Sequence, residues 1–258
     1  MWFNSENICV GSIRKKEIFV GAGRDFNRLH DMNKKSQKAI VYHPIFFNMQ
    51  GKKCVVIGGG NVALRKIKGL LECGAEVTVI SPKPHPEISK LSQEGTIQLM
   101  ERDYKASDLK DTVMVMVCTD AKKVNRKAAD GAKKAGALVN VADDPERSDF
   151  IIPSFFRRGN LILAVSTCGV SPALAKKIRA KLEKSFGVEY ATLLSLIGEV
   201  RSAIKREGYI VDAKTWQGIL DIDLLMRLVK AGSREKAKTL LLEKLRATKK
   251  GNSLRSSD

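Results

Sequence analysis

Between residues 54 and 141, short apolar runs alternate with longer stretches whose apolar residues recur every three or four positions. Cys54–Ile57, Val77–Ile80, Ile97–Glu101, Val113–Cys118 and Leu138–Val141 read as strands, and most lack the polar alternation of a half-exposed sheet. Between them, Ala63, Ile67, Leu70, Leu71 and Gly74 share one helical face, as do Val124, Ala128, Ala132 and Ala135, with a weaker helix around Glu87–Gln93. Buried strands alternating with helices predict an α/β domain with a parallel, doubly wound sheet.

The pattern changes after residue 145. "NLILAVST" reads as one more strand, and "SPALAKKIRAKLEKSFG" as a helix with Ser171 at its cap, Pro172 in its first turn and Gly187 at its end. Further helices follow, with Leu193, Ile197, Val200 and Ile204 on one face and Leu224, Leu225 and Leu228 on another. Residues 1–40 are polar and basic, with one short strand expected at Glu17–Val20, and residues 251–258 read as a disordered tail.

Composition adds one unusual feature. The 258-residue chain has an ordinary hydrophobic fraction of 43% but a formal charge of +18. Such an excess calls for an anionic partner, whether nucleic acid, a membrane surface or a polyacidic small molecule. No clear helix-turn-helix pattern supports DNA binding. No stretch reaches the length of a membrane span, and the N-terminus has no secretory pattern. Cys9, Cys54, Cys73, Cys118 and Cys168 stand singly, as in a reduced, cytoplasmic protein. His30, His43 and His85 lack metal-ligand spacing, so no protein metal site is expected.

The chemistry concentrates in three places. Gly58-Gly59-Gly60-Asn61-Val62-Ala63 follows a strand and opens a helix, in the G-x-G-x-x-G/A spacing of a Rossmann-like dinucleotide site. Gly58 permits the tight turn, Gly60 leaves room for a pyrophosphate, and the start of the helix presents N–H groups to it. The second strand, however, ends in Ile80-Ser81-Pro82-Lys83, without the carboxylate that usually takes the ribose. Lys83 pairing with a 2′-phosphate, and Ser81 with backbone groups holding a plain ribose, are equally compatible with these residues.

The second place is the pair of strand ends "VCTD" (117–120) and "VNVADDP" (139–145), which aim Thr119, Asp120, Asn140, Asp143 and Asp144 at the crevice. On its residues alone, Asp143 before Asp144-Pro145 is ordinary turn chemistry. The third is "STCGVSP" (166–172), whose hydroxyls and helix start suit carboxylates.

Taken in order, "YHPIFFNMQGKKCVVIGGGNVALRKIKGLLECGAEVTVISP", "VCTDAKKVN" and "VNVADDPERSDFIIPSFFRRGNLILAVSTCGVSPALAKKIR" resemble the precorrin-2 dehydrogenase and sirohydrochlorin ferrochelatase family, which includes the N-terminal module of siroheme synthase. The resemblance runs from about Tyr42 to Glu183. It implies NAD-dependent oxidation of precorrin-2 to sirohydrochlorin, with insertion of Fe2+ in some members. It also implies NAD rather than NADP, since the family lacks the same carboxylate. The family's essential aspartate falls on Asp143, as general base, which displaces the turn reading. Gly58, Gly60, Asn61, Val62, Ser81, Pro82, Lys83, Thr119 and Asp120 would bind the cofactor; Asn140, Ser166, Thr167, Ser171 and Lys176 would bind the substrate.

A regulatory serine of the family falls on Thr167 and a glycine on Cys168, which departs from its pattern. Precorrin-2 has eight carboxylates, for which Arg157, Arg158, Lys176, Lys177 and Arg179 are candidate partners. Roughly half of the positive excess lies beyond residue 175.

The division expected is a basic extension (1–40), a Rossmann domain (41–147), a small α+β dimerisation and substrate segment (148–187), a helical domain (188–250) and the tail (251–258). A homodimer is expected, without nucleic acid or membrane. The rival reading is a non-enzymatic NAD-sensing module whose basic helices bind a partner.

Overall fold

The apolar run Lys53–Ile57 forms β1, the middle strand of a five-stranded parallel sheet ordered β3-β2-β1-β4-β5. The other strands are Glu76–Ile80 (β2), Gln98–Met100 (β3), Met114–Val117 (β4) and Leu138–Val141 (β5). The structure is a computed structural model and describes residues 40–253, with side chains to residue 248. The expected strand at Glu17–Val20 lies outside the described residues. The described residues from Pro44 onward form one compact unit.

Side chains alternate across β1 because successive residues point to opposite faces. Cys54 and Val56 join Val77, Val79 and Met116 under helices Asn61–Leu71 (α1) and Pro86–Gln93 (α2). Val55 and Ile57 join Ile80, Val117, Val139 and Val141 under Lys122–Lys134 (α3). α3 meets the sheet through Ala128, Ala129 and Ala132, and these small residues let its backbone lie close. Ala135, expected on that face, is instead the exposed C-cap of the helix. The direction of winding reverses between β1 and β4, the switch point where open α/β sheets place ligands.

β5 is an edge strand whose outer amides need partners. The chain returning from it supplies them with side chains. Val139 N–H donates to Asp149 Oδ2 at 2.9 Å and Val141 N–H to Ser148 Oγ at 2.9 Å.

One strand of the second region was not anticipated. Ser154–Arg158 (β6) pairs antiparallel with Leu161–Val165 (β7) in a separate two-stranded sheet. The "FFRR" run was illegible because it has no alternation to separate a strand from a loop. Gly159, at φ +57, stands first in the two-residue turn, as a type II′ hairpin requires. The helix Pro172–Ser185 (α4) packs on this hairpin, capped by Ser171 Oγ, which accepts from Leu174 N–H; it stops at Ser185, with Phe186 rather than Gly187 at its cap.

The remaining helices are Glu189–Arg206 (α5), Ala213–Ile219 (α6), Ile222–Lys230 (α7) and Arg234–Ser253 (α8). They close on Leu193, Leu196, Val200, Ile204, Leu225, Leu241 and Leu245. Leu196 takes the inner position and Ile197 the margin. Asp212 and Asp221 cap α6 and α7. α8 runs on to Ser253, past the expected start of the tail at residue 251.

Candidate functional site

The carboxyl ends of β1, β2 and β4 open onto a cleft of about 500 Å³, within the range of small-molecule sites. Gly58, Gly60, Asn61, Val62, Ser81, Pro82, Lys83, Thr119 and Asp120 all line it.

The three glycines do different work. Gly58 has φ +115, and a Cβ there would lie 2.3 Å from the Cys118 carbonyl oxygen. Only glycine fits both conditions. A Cβ on Gly59 would meet Ser81 Oγ at 2.4 Å and Pro84 Cα at 2.8 Å, so this glycine lets the loop touch the end of β2. A Cβ on Gly60 would meet nothing within 4 Å; its missing side chain leaves space toward the cleft. Backbone bonds hold the loop: Gly58 N–H donates to Ile80 O at 2.9 Å and His85 N–H to Gly59 O at 2.8 Å.

α1 begins at Gly60 with no side-chain cap and no acidic residue in its first turn. Its first N–H groups and the positive end of its dipole thus remain for an anion. By contrast α2, beside it, is capped by His85 Nδ1, which accepts from Glu87 N–H at 3.1 Å. His85 therefore serves the fold.

Ser81 is buried; its Oγ accepts from Lys83 N–H at 3.3 Å, and Lys83 itself is exposed. Thr119 organises the start of α3. Its hydroxyl donates to Asn125 Oδ1 and accepts from Ala121 N–H, while Asn125 Nδ2 donates to Thr119 O at 2.8 Å.

The opposite wall was not anticipated. Arg102, Asp103 and Tyr104 follow the edge strand β3 and line the same cleft. Arg102 forms a two-pronged pair with Asp108, at 2.7 and 2.9 Å, and this holds the Asp108 carboxyl below its usual range. Tyr104 Oη is buried without a hydrogen-bond partner among the described residues, and a Cβ on Gly131 would come within 2.5 Å of it. Burial pushes its phenol up. The clue was present as R-x-Y-x-x-x-D after β3, but nothing in the sequence tells a loop pair from a solvated one.

At the end of β5 the two adjacent aspartates separate. Asp144 does the turn work, accepting from Arg147 N–H at 3.2 Å and pairing with Arg147 Nε at 3.1 Å. Asp143 is exposed, at φ +59, and no hydrogen bond or ion pair is drawn to its carboxylate among the described residues. A non-glycine residue held in the left-handed region costs about 1–3 kcal/mol, and such strain gathers at functional sites. The Asp143 charge is felt at Cys118, on the cleft wall. Burial mainly raises that thiol, Lys66 and Arg65 oppose the rise, and Asp143 adds to it.

Asn140 differs from its expectation. It is 9% exposed; Lys66 Nζ donates to its Oδ1 at 2.5 Å, and its Nδ2 donates to Phe150 O at 2.8 Å. An ammonium only donates and a carbonyl only accepts, so both neighbours fix the same amide orientation.

The "STCGVSP" loop is built from local bonds. Ser166 Oγ accepts from Cys168 N–H and Thr167 Oγ1 from Ser171 N–H, each at 3.0 Å, with Cys168 at φ +51. None of Asp143, Asn140, Ser166, Thr167, Ser171 or Lys176 lines the cleft. Among the candidate cations, Arg158 and Arg179 both engage Glu183, and Arg157 reaches Cys73 Sγ at 3.3 Å. Lys176 and Lys177 stay exposed on α4. No group of three or more metal-ligating side chains occurs among the described residues. Nor is any helix among them long and apolar enough to cross a membrane.

Two family models match the chain: NAD(P)-binding over residues 45–154, and the central part of sirohaem biosynthesis proteins over 158–185. The siroheme synthase of Nitrosococcus oceani is 37% identical over 202 residues, 78% of this chain and 43% of that protein. That of Pseudoalteromonas translucida is 33% identical over 208 residues, 80% of this chain and 44% of its own. The chain thus spans less than half the length of these curated relatives. A solved structure titled "SirC, precorrin-2 dehydrogenase" is 27% identical, with a TM-score of 0.63, and is matched over its whole length and 78% of this chain. The two matched segments meet across residues 154–158, where the parallel sheet gives way to the hairpin, and in both the chain is similar to siroheme synthases and to the precorrin-2 dehydrogenase SirC.

Proposed function

We propose that this chain oxidises precorrin-2 to sirohydrochlorin with NAD. The observation that carries the reading is the union of an uncapped α1 behind an open Gly60 with an exposed, strained Asp143 two strands away. The cleft fits a dinucleotide. Its loop is shaped by backbone contacts, one glycine leaves room, and no protein carboxylate competes at the start of the helix. Bound NAD supplies the two-electron acceptor.

The protein's own residues bind and position. Gly60, Asn61 and Val62 receive the pyrophosphate through backbone N–H groups. Ser81, Pro82 and Lys83 border the ribose end, and Thr119 and Asp120 close the β4 side. Asp143 takes a proton from the tetrapyrrole as general base. Ser166, Thr167, the end of α4 at Ser171, and the exposed Lys176 and Lys177 face the substrate's carboxylates.

The segment 148–187 serves as both substrate shelf and dimer contact. Its apolar residues are poorly covered in one chain: Ile152 is 46% exposed, Val170 89% and Leu174 50%. A second copy would cover them. Light scattering of the full chain tests this, and a monomer at micromolar concentration would count against it.

The decisive assay is anaerobic: protein, precorrin-2 and NAD, followed by NADH absorbance and the tetrapyrrole spectrum. NAD binding without turnover would instead support the sensing module. Fe2+ added to sirohydrochlorin tests insertion separately, with metal as substrate.

A further inference from the structure

The side chain of Lys66 does something the reaction above leaves unassigned. α1 lies on the face of the sheet that carries Val56 and Met116. Met116 is in register with Asn140, so Asn140 is the residue of β5 that turns to the α1 face while Val139 and Val141 turn to α3. An amide in an otherwise apolar strand is costly unless its hydrogen bonds are met. Lys66 meets one by reaching across the sheet from α1, although a lysine stem ordinarily carries its ammonium outward into water. Phe150 O, in the segment leading to β6, meets the other.

The bridge therefore joins three parts: the helix that opens behind Gly60, the strand ending two residues before Asp143, and the link toward the substrate shelf. The ammonium also bears on Cys118, at which the Asp143 charge is felt.

We propose that Lys66 is a positioning residue: through Asn140 it fixes the Asp143 turn relative to the dinucleotide helix. The inference rests on the dehydrogenase reading. A turn that must hold an aspartate at φ +59 gains from an anchor so close in sequence, because displacements near 1 Å cost on the order of 100-fold in rate.

The test uses the full-length chain and the anaerobic assay, with NAD affinity from fluorescence titration. Lys66→Met should lower kcat about 10- to 100-fold while leaving the NAD Kd and the precorrin-2 KM within about twofold. Lys66→Arg should restore most of kcat, and Asn140→Leu should lower kcat without adding to the loss in the double variant. Full kcat in Lys66→Met, or a parallel loss of NAD affinity, overturns the inference. Should Lys66→Met fail to fold, Asn140→Leu and Lys66→Arg decide: full kcat in the first, or no activity in a folded second, overturns it. If the unaltered chain binds NAD but oxidises no precorrin-2, the dehydrogenase reading itself fails and takes the strut with it.

Discussion

The cleft at the strand ends and the bundle α5–α8 spend their polar groups differently. In the bundle, charges are matched against each other. Glu199 binds Arg234 and Lys238, Glu189 binds Lys230, and Glu207 binds Arg246. Two of its helices are capped by aspartates. At the cleft, the first helix has no cap and one glycine faces open space, and beyond it, after β5, a strained aspartate makes no hydrogen bond among the described residues. Unspent hydrogen-bonding capacity, rather than charge, distinguishes the site. The excess of +18 is therefore a poor pointer on its own, since several cations nearest the shelf are already engaged.

The contrast can be broken at four points. The largest effect is expected from Asp143→Ala. Loss of a general base should lower kcat by roughly 10²- to 10⁴-fold with the NAD Kd unchanged, and undiminished turnover would remove Asp143 from the chemistry. Next is Leu241→Ala in α8, where Leu241 is 0% exposed. A truncation of that kind costs about 2–5 kcal/mol. Urea unfolding should show the loss while NAD affinity stays put; a matching fall in affinity would mean that bundle and cleft are coupled.

Gly60→Val follows. The position accepts a side chain sterically and lies at φ −85, so the protein should fold normally. NAD should nonetheless bind about 10- to 100-fold more weakly, or about 1.4–2.8 kcal/mol. Unchanged affinity would place the pyrophosphate elsewhere.

The smallest effect concerns pH. Arg234 and Lys238 pull the Glu199 carboxyl from 4.5 down to about 2. A carboxyl depressed on folding contributes stability that is complete above its unfolded value and is lost as pH falls through its folded value. Glu199→Gln should therefore flatten the decline in melting temperature between about pH 4.5 and pH 2 and leave the acid dependence of NAD binding alone. An unchanged slope would show that Glu199 does not contribute.

Much of the fold was legible because its signals are local. A fully apolar run can only be a buried strand or helix, and four-residue spacing distinguishes the two. The β1, β2, β4 and β5 boundaries fall within a residue or two of those read from the pattern. The hairpin strand β6 was missed because "SFFRR" carries no period. Its partner and its turn, not its own residues, make it a strand.

The nine residues expected to line the cleft were legible for the same reason, since they lie in the loops that follow recognisable strands. Lys66, Arg102 and Tyr104 were not. Lys66 and Arg102 act on partners whose nearness the sequence does not state, Lys66 and Asn140 standing 74 positions apart, and the Tyr104 hydroxyl is buried against Gly131 of a distant helix. Asn140 itself was read as facing the crevice, because strand position gives the end of the sheet but not which neighbour meets the side chain.

By itself, the order of residues determined the alternating elements, the glycine turn and the uncapped start of α1, since each depends on interactions within a few residues. Only the tertiary structure decided which of two adjacent aspartates stays unengaged, which arginines are already paired and which lysine braces the turn. Those outcomes follow from competition among groups brought together across the sheet. A side chain's hydrogen bonds go to whatever the fold places within 3 Å, and that choice is written in no single segment.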